Sequence, residues 1–320
     1  DGEHGGELWQ TDGTSDGTRL VQDIAPGVAS SNPAALTVAG SKLYFSADDG
    51  IYGDELWALA LDGGPACVPS PTALCLLGSR FRVEANWHDF SGGSGPGRAV
   101  SLTDDTGYFW FFDPANVEVV LKTLDGRALN GHFWAFYGAL SNVLYELTVT
   151  DSQTGAARRY VNPPGVLASV ADTVAFGPQG AHAPGISLGP AGQPAGAEIT
   201  TASSPAAVAP CVPGASRLCL GGGRFAVTAT WRDFQGNAGI GKVAPVTGDT
   251  GYFWFFDAAN VEVMLKVLDG RPVNGKFWVF YGALSSVQYT LTVTDTQTGA
   301  VRSYFNPAGR LASVADTGAF

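Results

Sequence analysis

The latter two-thirds of the chain is one domain sequence written twice. Residues 67–176 align with residues 211–320 without an insertion or a deletion, and about two-thirds of the paired positions are identical. A duplication at this spacing requires at least two domains of one fold. It also separates the positions that the domain keeps from those that it lets vary, so that a proposed functional residue can be checked in both copies.

The paired positions argue against catalysis. His88 becomes Arg232 and His132 becomes Lys276, so a duplicated active site cannot depend on histidine. The sequence contains no phosphate loop, dinucleotide-binding fingerprint, zinc-protease motif or EF-hand loop. We therefore predict no catalytic residues and expect a protein that is not an enzyme.

Composition and patterning favour strands over helices. Valine and threonine recur in alternating runs, and no helical stripe is found. In residues 80–87, the identities of Phe81, Val83, Ala85 and Trp87 persist in the second copy while the residues between them change, which predicts one core face and one solvent face. Further strands of the first copy are predicted at 107–112, 117–124, 133–137, 143–149 and 158–161.

Charge and hydropathy argue against two classes of partner. The formal net charge of -11 leaves no basic cluster that could neutralise phosphates, so a nucleic-acid partner is not expected. No apolar run reaches the roughly 18 residues that cross a bilayer, so membrane insertion is not expected either. With no signal peptide before the first residue, the chain is interpreted as a processed form or a fragment of an exported protein.

All four cysteines occupy matched positions, and each copy holds a pair that closes a short loop. We predict local disulfides, Cys67 with Cys75 and Cys211 with Cys219, each worth about 2–3 kcal/mol by loop entropy. Reduced thiols and a metal site are the alternatives, but no further metal ligands accompany the two sulfurs. Disulfides favour an extracellular, secreted protein.

The N-terminal region carries a second repeat. Residues 1–9 return as residues 49–57, a period of about 48 residues that is typical of propeller blades. The stretch 7–14, Glu-Leu-Trp-Gln-Thr-Asp-Gly-Thr, resembles the ELWxxDGT repeat of bacterial extracellular proteins, and this resemblance covers residues 1–61. In the second occurrence the Asp-Gly-Thr part is lost, so the array is expected to end there. Strands are predicted at 7–11, 19–24, 35–38 and 42–47.

These observations predict an all-β chain, in which a propeller-blade-like N-terminal segment precedes two tandem immunoglobulin-like or jelly-roll β-sandwich domains. The predicted boundaries are 1–63 for the blade-like segment, 64–176 for the first copy, 177–210 for a Gly/Ala/Pro-rich linker and 211–320 for the second copy. Because a single blade cannot bury its own faces, another surface is expected to complete it. The linker is expected to lie along a protein surface, where it could add a strand to an exposed edge.

The candidate binding residues are aromatic. Alternation along the runs 108–112 and 133–137 places large rings on both faces of a sheet, so one set fills the core and the other must be covered or used. Cover by loops or by the adjoining domain is one interpretation, and a platform for sugar rings or a subunit interface is the other. The candidate residues are Tyr108, Trp110, Trp134, Tyr137, Tyr252, Trp254, Trp278 and Tyr281.

Several polar residues also keep their identity in both copies. Glu118 and Lys122 share one strand face, which suggests a cross-strand ion pair or, with a second carboxylate, a glycosidase-like acid arrangement. No cofactor is predicted, although the matched oxygen ligands leave calcium open. The matched set comprises Asp105, Asp113, Asn116, Glu118, Lys122, Asp125 and Arg127, with partners Asp249, Asp257, Asn260, Glu262, Lys266, Asp269 and Arg271.

Two function classes follow from the sequence. The first is a non-catalytic secreted structural or adhesive protein that self-associates through its blade, linker and β-sandwich surfaces, with an extracellular filament as one form. Its partners would be copies of itself or blades of a parent chain. The second is a carbohydrate-binding tandem module of a larger exported protein, in which two copies raise avidity for a glycan.

Overall fold

The structure, a computed structural model, describes residues 3–11, 15, 18–39, 42–60, 66–177, 186–188, 198–203 and 209–320. In this part the chain is all-β, its sheets are antiparallel apart from one short parallel pair and none is closed, and its two helices have four residues each. The chain divides into two compact units. The N-terminal unit is Asp1–Ala66 with Ser152–Gly155, and the second unit, Cys67–Asp151 with Ala156–Phe320, holds both repeat copies.

The N-terminal unit contains two small sheets rather than one four-stranded blade. Strands β1 and β2 form an antiparallel pair, and β3, β4 and β5 form a three-stranded sheet in that order. The Asp-Gly-Thr part of the repeat signature, residues 12–14, lies outside the described residues. The strands are β1 (Leu8–Gln10), β2 (Arg19–Gln22), β3 (Ala34–Ala39), β4 (Lys42–Asp48) and β5 (Asp54–Ala60).

The glutamate of the repeat signature organises this unit. The buried carboxylate of Glu7 accepts hydrogen bonds from the backbone amides of Ile24 at 3.0 Å and Ser31 at 2.9 Å, and from the Ser31 hydroxyl at 2.5 Å. Burial opposes ionisation, but these hydrogen bonds outweigh it and lower the pKa of Glu7. The adjacent Leu8 packs with Phe45 in a small core. The motif therefore ties the first strand to the loop that precedes β3.

Each repeat copy is built from two sheets on a common core. In the first copy, β6, β7, β13 and β14 belong to a six-stranded sheet, in which β8 pairs with β7; β9, β10, β11, β12 and β15 form a five-stranded sheet. The strands are β6 (Ala73–Leu76), β7 (Phe81–His88), β8 (Ser94–Pro96), β9 (Arg98–Ser101), β10 (Thr106–Trp110), β11 (Val119–Gly126), β12 (His132–Ala139), β13 (Leu144–Asp151), β14 (Ala157–Asn162) and β15 (Ser169–Phe176). A helical turn, α1 (Arg127–Asn130), joins β11 to β12.

Alternation along the strands explains the core. Phe81, Val83 and Ala85 on β7 are buried, and they pack with inward-facing residues of the five-stranded sheet such as Phe109 and Leu121. The predicted core face of β7 is therefore confirmed. The turn after α1 needs Gly131, whose φ of +78° lies in the left-handed region that glycine adopts without strain.

The second copy repeats this arrangement. The six-stranded sheet follows the order β17-β26-β25-β19-β18 with β20 on β19, and the five-stranded sheet the order β21-β22-β23-β24-β27. The elements are β18 (Leu218–Leu220), β19 (Phe225–Arg232), β20 (Ala238–Ile240), β21 (Lys242–Pro245), β22 (Thr250–Trp254), β23 (Val263–Gly270), α2 (Arg271–Asn274), β24 (Lys276–Ala283), β25 (Gln288–Asp295), β26 (Ala300–Asn306) and β27 (Ser313–Asp316), preceded by β17 (Glu198–Ser203).

Parts of the predicted linker form strands at the sheet edges. Strand β16 (Ile186–Leu188) pairs in parallel with β14 of the first copy, and β17 pairs antiparallel with β26 of the second. The linker residues 178–185, 189–197 and 204–208 lie outside the described residues. In its described parts, the linker thus adds a strand to one edge of each copy, as β-augmentation does between chains.

Both predicted disulfides are confirmed. Cys67 bonds Cys75 and Cys211 bonds Cys219, with Cα–Cα distances of 5.5 and 5.6 Å. Each bond ties the segment that enters a copy to the first strand of its six-stranded sheet.

Candidate functional site between the two copies

The five-stranded sheets of the two copies bury their outer faces together. On β11, Val119 and Leu121 point into the core of the first copy, so Val120 and Lys122 point outward by alternation. Val120 joins a second apolar cluster whose members come from both copies. The cluster consists of Tyr108, Val117, Val120, Phe136 and Leu140 from the first copy and Val261, Met264 and Leu284 from the second.

Two glycines mark the centre of this contact. A Cβ atom built on Gly138 would lie 2.8 Å from the Cα atom of Gly282, and one built on Gly282 would lie 2.9 Å from the Cα atom of Gly138. Strands β12 and β24 therefore cross backbone to backbone, which only glycine permits. Nearby, the hydroxyls of Ser169 and Ser313 are hydrogen bonded at 2.8 Å. Gly138 and Ser169 each contact the residue at the matched position of the second copy. The two copies are therefore related by a local two-fold axis at this point.

Two lysines reach across the axis. Lys122 Nζ donates to Asn260 Oδ1 at 2.7 Å and to the Val261 carbonyl at 3.0 Å. In the reciprocal arrangement, Lys266 Nζ donates to Asn116 Oδ1 at 2.6 Å, and to the carbonyl of the residue after it at 2.7 Å. Both lysine side chains are buried.

A glutamate completes each group. Asn116 Nδ2 donates to Glu118 Oε1, and Asn260 Nδ2 donates to Glu262 Oε1, both at 2.5 Å. Burial raises the pKa of Glu118 and Glu262 and lowers the pKa of the lysines, and the charge of the lysine from the other copy only partly offsets the effect on each glutamate. We name these groups the reciprocal triads: Lys122, Asn260 and Glu262, and Lys266, Asn116 and Glu118.

This contact explains why Asn116, Glu118 and Lys122 keep their identity in the second copy. In an isologous contact, one patch serves on both partners, so a side chain that reaches across the axis is used on both sides. The matched Asp113 acts indirectly: its carboxylate accepts the Ala115 amide at 2.8 Å and shapes the turn that presents Asn116. The glutamate and lysine that share a face of the first copy do not pair with each other, because each interacts electrostatically with the opposite charge of the second copy.

Comparison with protein-family models, with curated proteins and with solved structures finds no match to this chain. Within the described residues, no helix is long and apolar enough to cross a membrane. The same residues contain no group of three or more histidine, cysteine, aspartate or glutamate side chains that could hold a metal ion.

The structure divides the eight predicted aromatic residues between two environments. Tyr137 and Tyr281 are at most 1% exposed and lie inside the copy cores, so their place in the predicted surface was wrong. They occupy inward positions of β12 and β24, one residue out of phase with the outer face. The remaining six residues lie on the outer face, and four of them belong to the cluster between the copies or pack against it: Tyr108, Trp110, Trp134 and Tyr252. Trp254 and Trp278 are partly buried.

A more exposed aromatic cluster, which was not predicted from the sequence, lies at the end of β7. Trp87 lies against Phe112 with ring centroids 4.8 Å apart, and Phe112 is 49% exposed. The second copy repeats this pair as Trp231 and Phe256 at the same separation. Trp231 also lines an open cleft with polar neighbours, including Gln288. The signal for this cluster was that Trp87 is kept as Trp231, although the residues on either side of it differ between the two copies.

Proposed function

We propose that this chain is a non-catalytic structural or adhesive module of an exported protein. The observation that carries the proposal is the reciprocal contact, in which both copies use their aromatic outer faces and their matched charges to hold two domains together. The two disulfides support an extracellular location, where such bonds persist. A duplicated domain whose matched surface binds the other copy suits a structural role better than a catalytic one.

For the fold, we propose immunoglobulin-like or jelly-roll sandwiches after a blade-like segment. In each copy a four-strand meander, β9 to β12, is followed by a strand that returns to the other sheet beside β7. Such returns are typical of two-sheet antiparallel sandwiches. The N-terminal unit supports a blade-like segment only in part. Strands β3, β4 and β5 form one sheet, but β1 and β2 pair separately from it.

We further propose that the N-terminal unit mediates self-association. Strand β3 lies at the edge of its sheet and is exposed along its length, with Leu36 and Val38 more than half exposed. Leu56 on β5 is also exposed, whereas Leu8, the equivalent residue of the first repeat, is buried. An exposed apolar edge strand is a template for pairing with another chain. Copies of this chain, or blades of a parent chain, would supply the missing strand.

Light scattering across a concentration series, with electron microscopy of the same sample, tests this assembly. The native protein should form oligomers or filaments, and the double substitution Leu36→Lys and Val38→Lys should return it to monomers because it charges the edge. The control is Val273→Lys, an exposed valine of α2 in the other unit. A strict monomer at every concentration would refute the assembly.

Glycan binding is the second candidate, and it is favoured by Phe112, which is 49% exposed beside the partly buried Trp87, rather than by the buried outer face. Stacking on exposed rings holds sugars with little loss of entropy. Retention on insoluble polysaccharides should fall when Phe112→Ala and Phe256→Ala are combined. Leu129→Ala, which alters a more exposed but aliphatic residue, is the control. Equal retention of the two variants would remove this candidate.

A further inference from the structure

The reciprocal triads place a primary amine against a carboxamide without water between them. Lys122 Nζ lies 2.7 Å from Asn260 Oδ1. Because the amide carbon Cγ is bonded directly to Oδ1, the nitrogen lies within about 4 Å of Cγ, close to the roughly 3–3.5 Å at which reacting atoms are held before a bond forms. Lys266 and Asn116 repeat this approach on the other side of the axis, at 2.6 Å.

We propose that Lys122 and Asn260, and likewise Lys266 and Asn116, react to form two intramolecular isopeptide bonds that cross-link the copies. The proposal rests on the contact between the copies and does not depend on the proposed function. Each glutamate of a triad acts as the proton-transfer group.

Burial of the triads favours the unprotonated amine of the lysine, which is the nucleophile. A lysine ammonium cannot attack a carbonyl carbon, because its lone pair is occupied by a proton. Burial lowers the pKa of Lys122 and raises that of Glu262, so both shifts favour a neutral amine beside a neutral carboxyl group. Asp105, the other charge acting on Lys122, raises the lysine pKa less than Glu262 does.

The step balances without a cofactor. From the neutral amine and the neutral carboxyl group, the lone pair of Lys122 Nζ attacks Asn260 Cγ, and a proton of Nζ passes to Oδ1, to which Nζ is hydrogen bonded at 2.7 Å. The Glu262 carboxyl group gives its proton to Nδ2, with which it is already hydrogen bonded at 2.5 Å. The Cγ–Nδ2 bond then breaks, and the departing ammonia takes the proton from Oδ1. The products are a secondary amide, an ammonium ion and the Glu262 carboxylate.

The surroundings of the triads favour the bond over hydrolysis. Phe136 lies with its ring centroid 5.7 Å from Lys122 Nζ, and Phe280 lies 5.3 Å from Lys266 Nζ. These rings and the apolar cluster exclude the water that would compete for the carbonyl carbon. Of the five lysines in the sequence, only Lys122 and Lys266 occupy matched positions.

Mass spectrometry of the intact, denatured full-length chain tests the proposal. Each bond removes one ammonia, about 17 Da, so the two bonds should lower the mass by about 34 Da once both disulfides are counted. Protease digestion should release a branched peptide that joins the segments around Lys122 and Asn260. A chain with its full mass would overturn the proposal.

Single-site variants distinguish this chemistry from other losses of ammonia. Lys122→Arg keeps the charge but cannot form the amide, so the deficit should fall by half while the second triad still reacts and reports a folded contact. Glu262→Gln should also halve it, because the proton-transfer group is lost. Lys276→Arg, an exposed lysine, should change nothing. A full deficit that survives both Lys122→Arg and Lys266→Arg would indicate cyclisation of the asparagines and would also overturn the proposal.

Discussion

Because the strands cross closely at Gly138 and Gly282, a substitution at either glycine tests the contact between the copies. A Cβ at Gly138 would lie 2.8 Å from backbone carbon atoms of Gly282 and 3.2 Å from the amide nitrogen of Ala283. Ordinary contact begins near 3.4 Å, so Gly138→Ala must push the strands apart by about 0.6 Å, and backbone atoms cannot turn aside as a flexible side chain could.

The expected cost can be estimated from two opposing terms. Overpacking of a well-packed contact costs about 1–3 kcal/mol. Replacing glycine by alanine restricts the unfolded chain and returns about 0.4–1 kcal/mol. We therefore expect Gly138→Ala to lower the free energy of unfolding by about 1–2 kcal/mol and Tm by about 2–8 °C for a unit of this size.

Urea unfolding followed by tryptophan fluorescence provides the assay. Gly282→Ala should match Gly138→Ala, and the double variant should cost less than the sum because both methyl groups open the same crossing. Gly214→Ala is the control, since a Cβ there meets no atom within 4 Å. If Gly138→Ala and Gly214→Ala unfold at the same urea concentration, the strands do not cross at this distance and the contact is wrong.

Three further predictions concern single copies and single bonds. Residues 67–176 expressed alone should dimerise, as size-exclusion chromatography would show, because the contact is isologous; a monomer would indicate that the two copies are not equivalent. Replacing Cys67 and Cys75 by serine should lower the free energy of unfolding by about 2–3 kcal/mol, and calorimetry that shows no change would contradict the loop-entropy argument. Burial opposes ionisation of Asp295, but hydrogen bonds, led by that from Arg224, outweigh it and lower its pKa below the usual 3.8, so this stabilisation is present above that pH and is lost as pH falls below it. Asp295→Asn should therefore flatten the acid limb of a stability profile, and an unchanged limb would refute the assignment.

The comparison of the copies predicted the strands that are long and half-buried. Residues 80–87 and 143–149 were found because their inward positions are fixed while their outward ones vary, and β7 and β13 occupy nearly the same bounds. Strand β8 was missed because its three residues include a glycine and a proline, which weaken any strand signal. Strand β15 was missed because its burial does not alternate: Thr173 and Val174 are exposed in succession, and the pairing with β12 shifts register there.

The contact between the copies could not be located from the sequence. Alternation shows that Lys122 and Glu118 share a face, but it does not show what covers that face. The partners of Lys122 lie more than 130 residues away and depend on how two finished domains dock. A lysine kept at a matched position beside aromatic residues was the available signal, because an outward lysine on a solvated face has little reason to be kept.

The local two-fold axis affects which amino-acid substitutions such a chain can accept. In a dimer of separate chains every substitution occurs twice, so a change at the axis is imposed on both sides at once. On a fused chain it occurs once, and the partner can adjust alone. Val120 and its counterpart Met264 already differ, although both are fully buried in the contact. Fusion thus gives a symmetric surface the freedom to become asymmetric, one residue at a time, while its two halves stay in a one-to-one ratio.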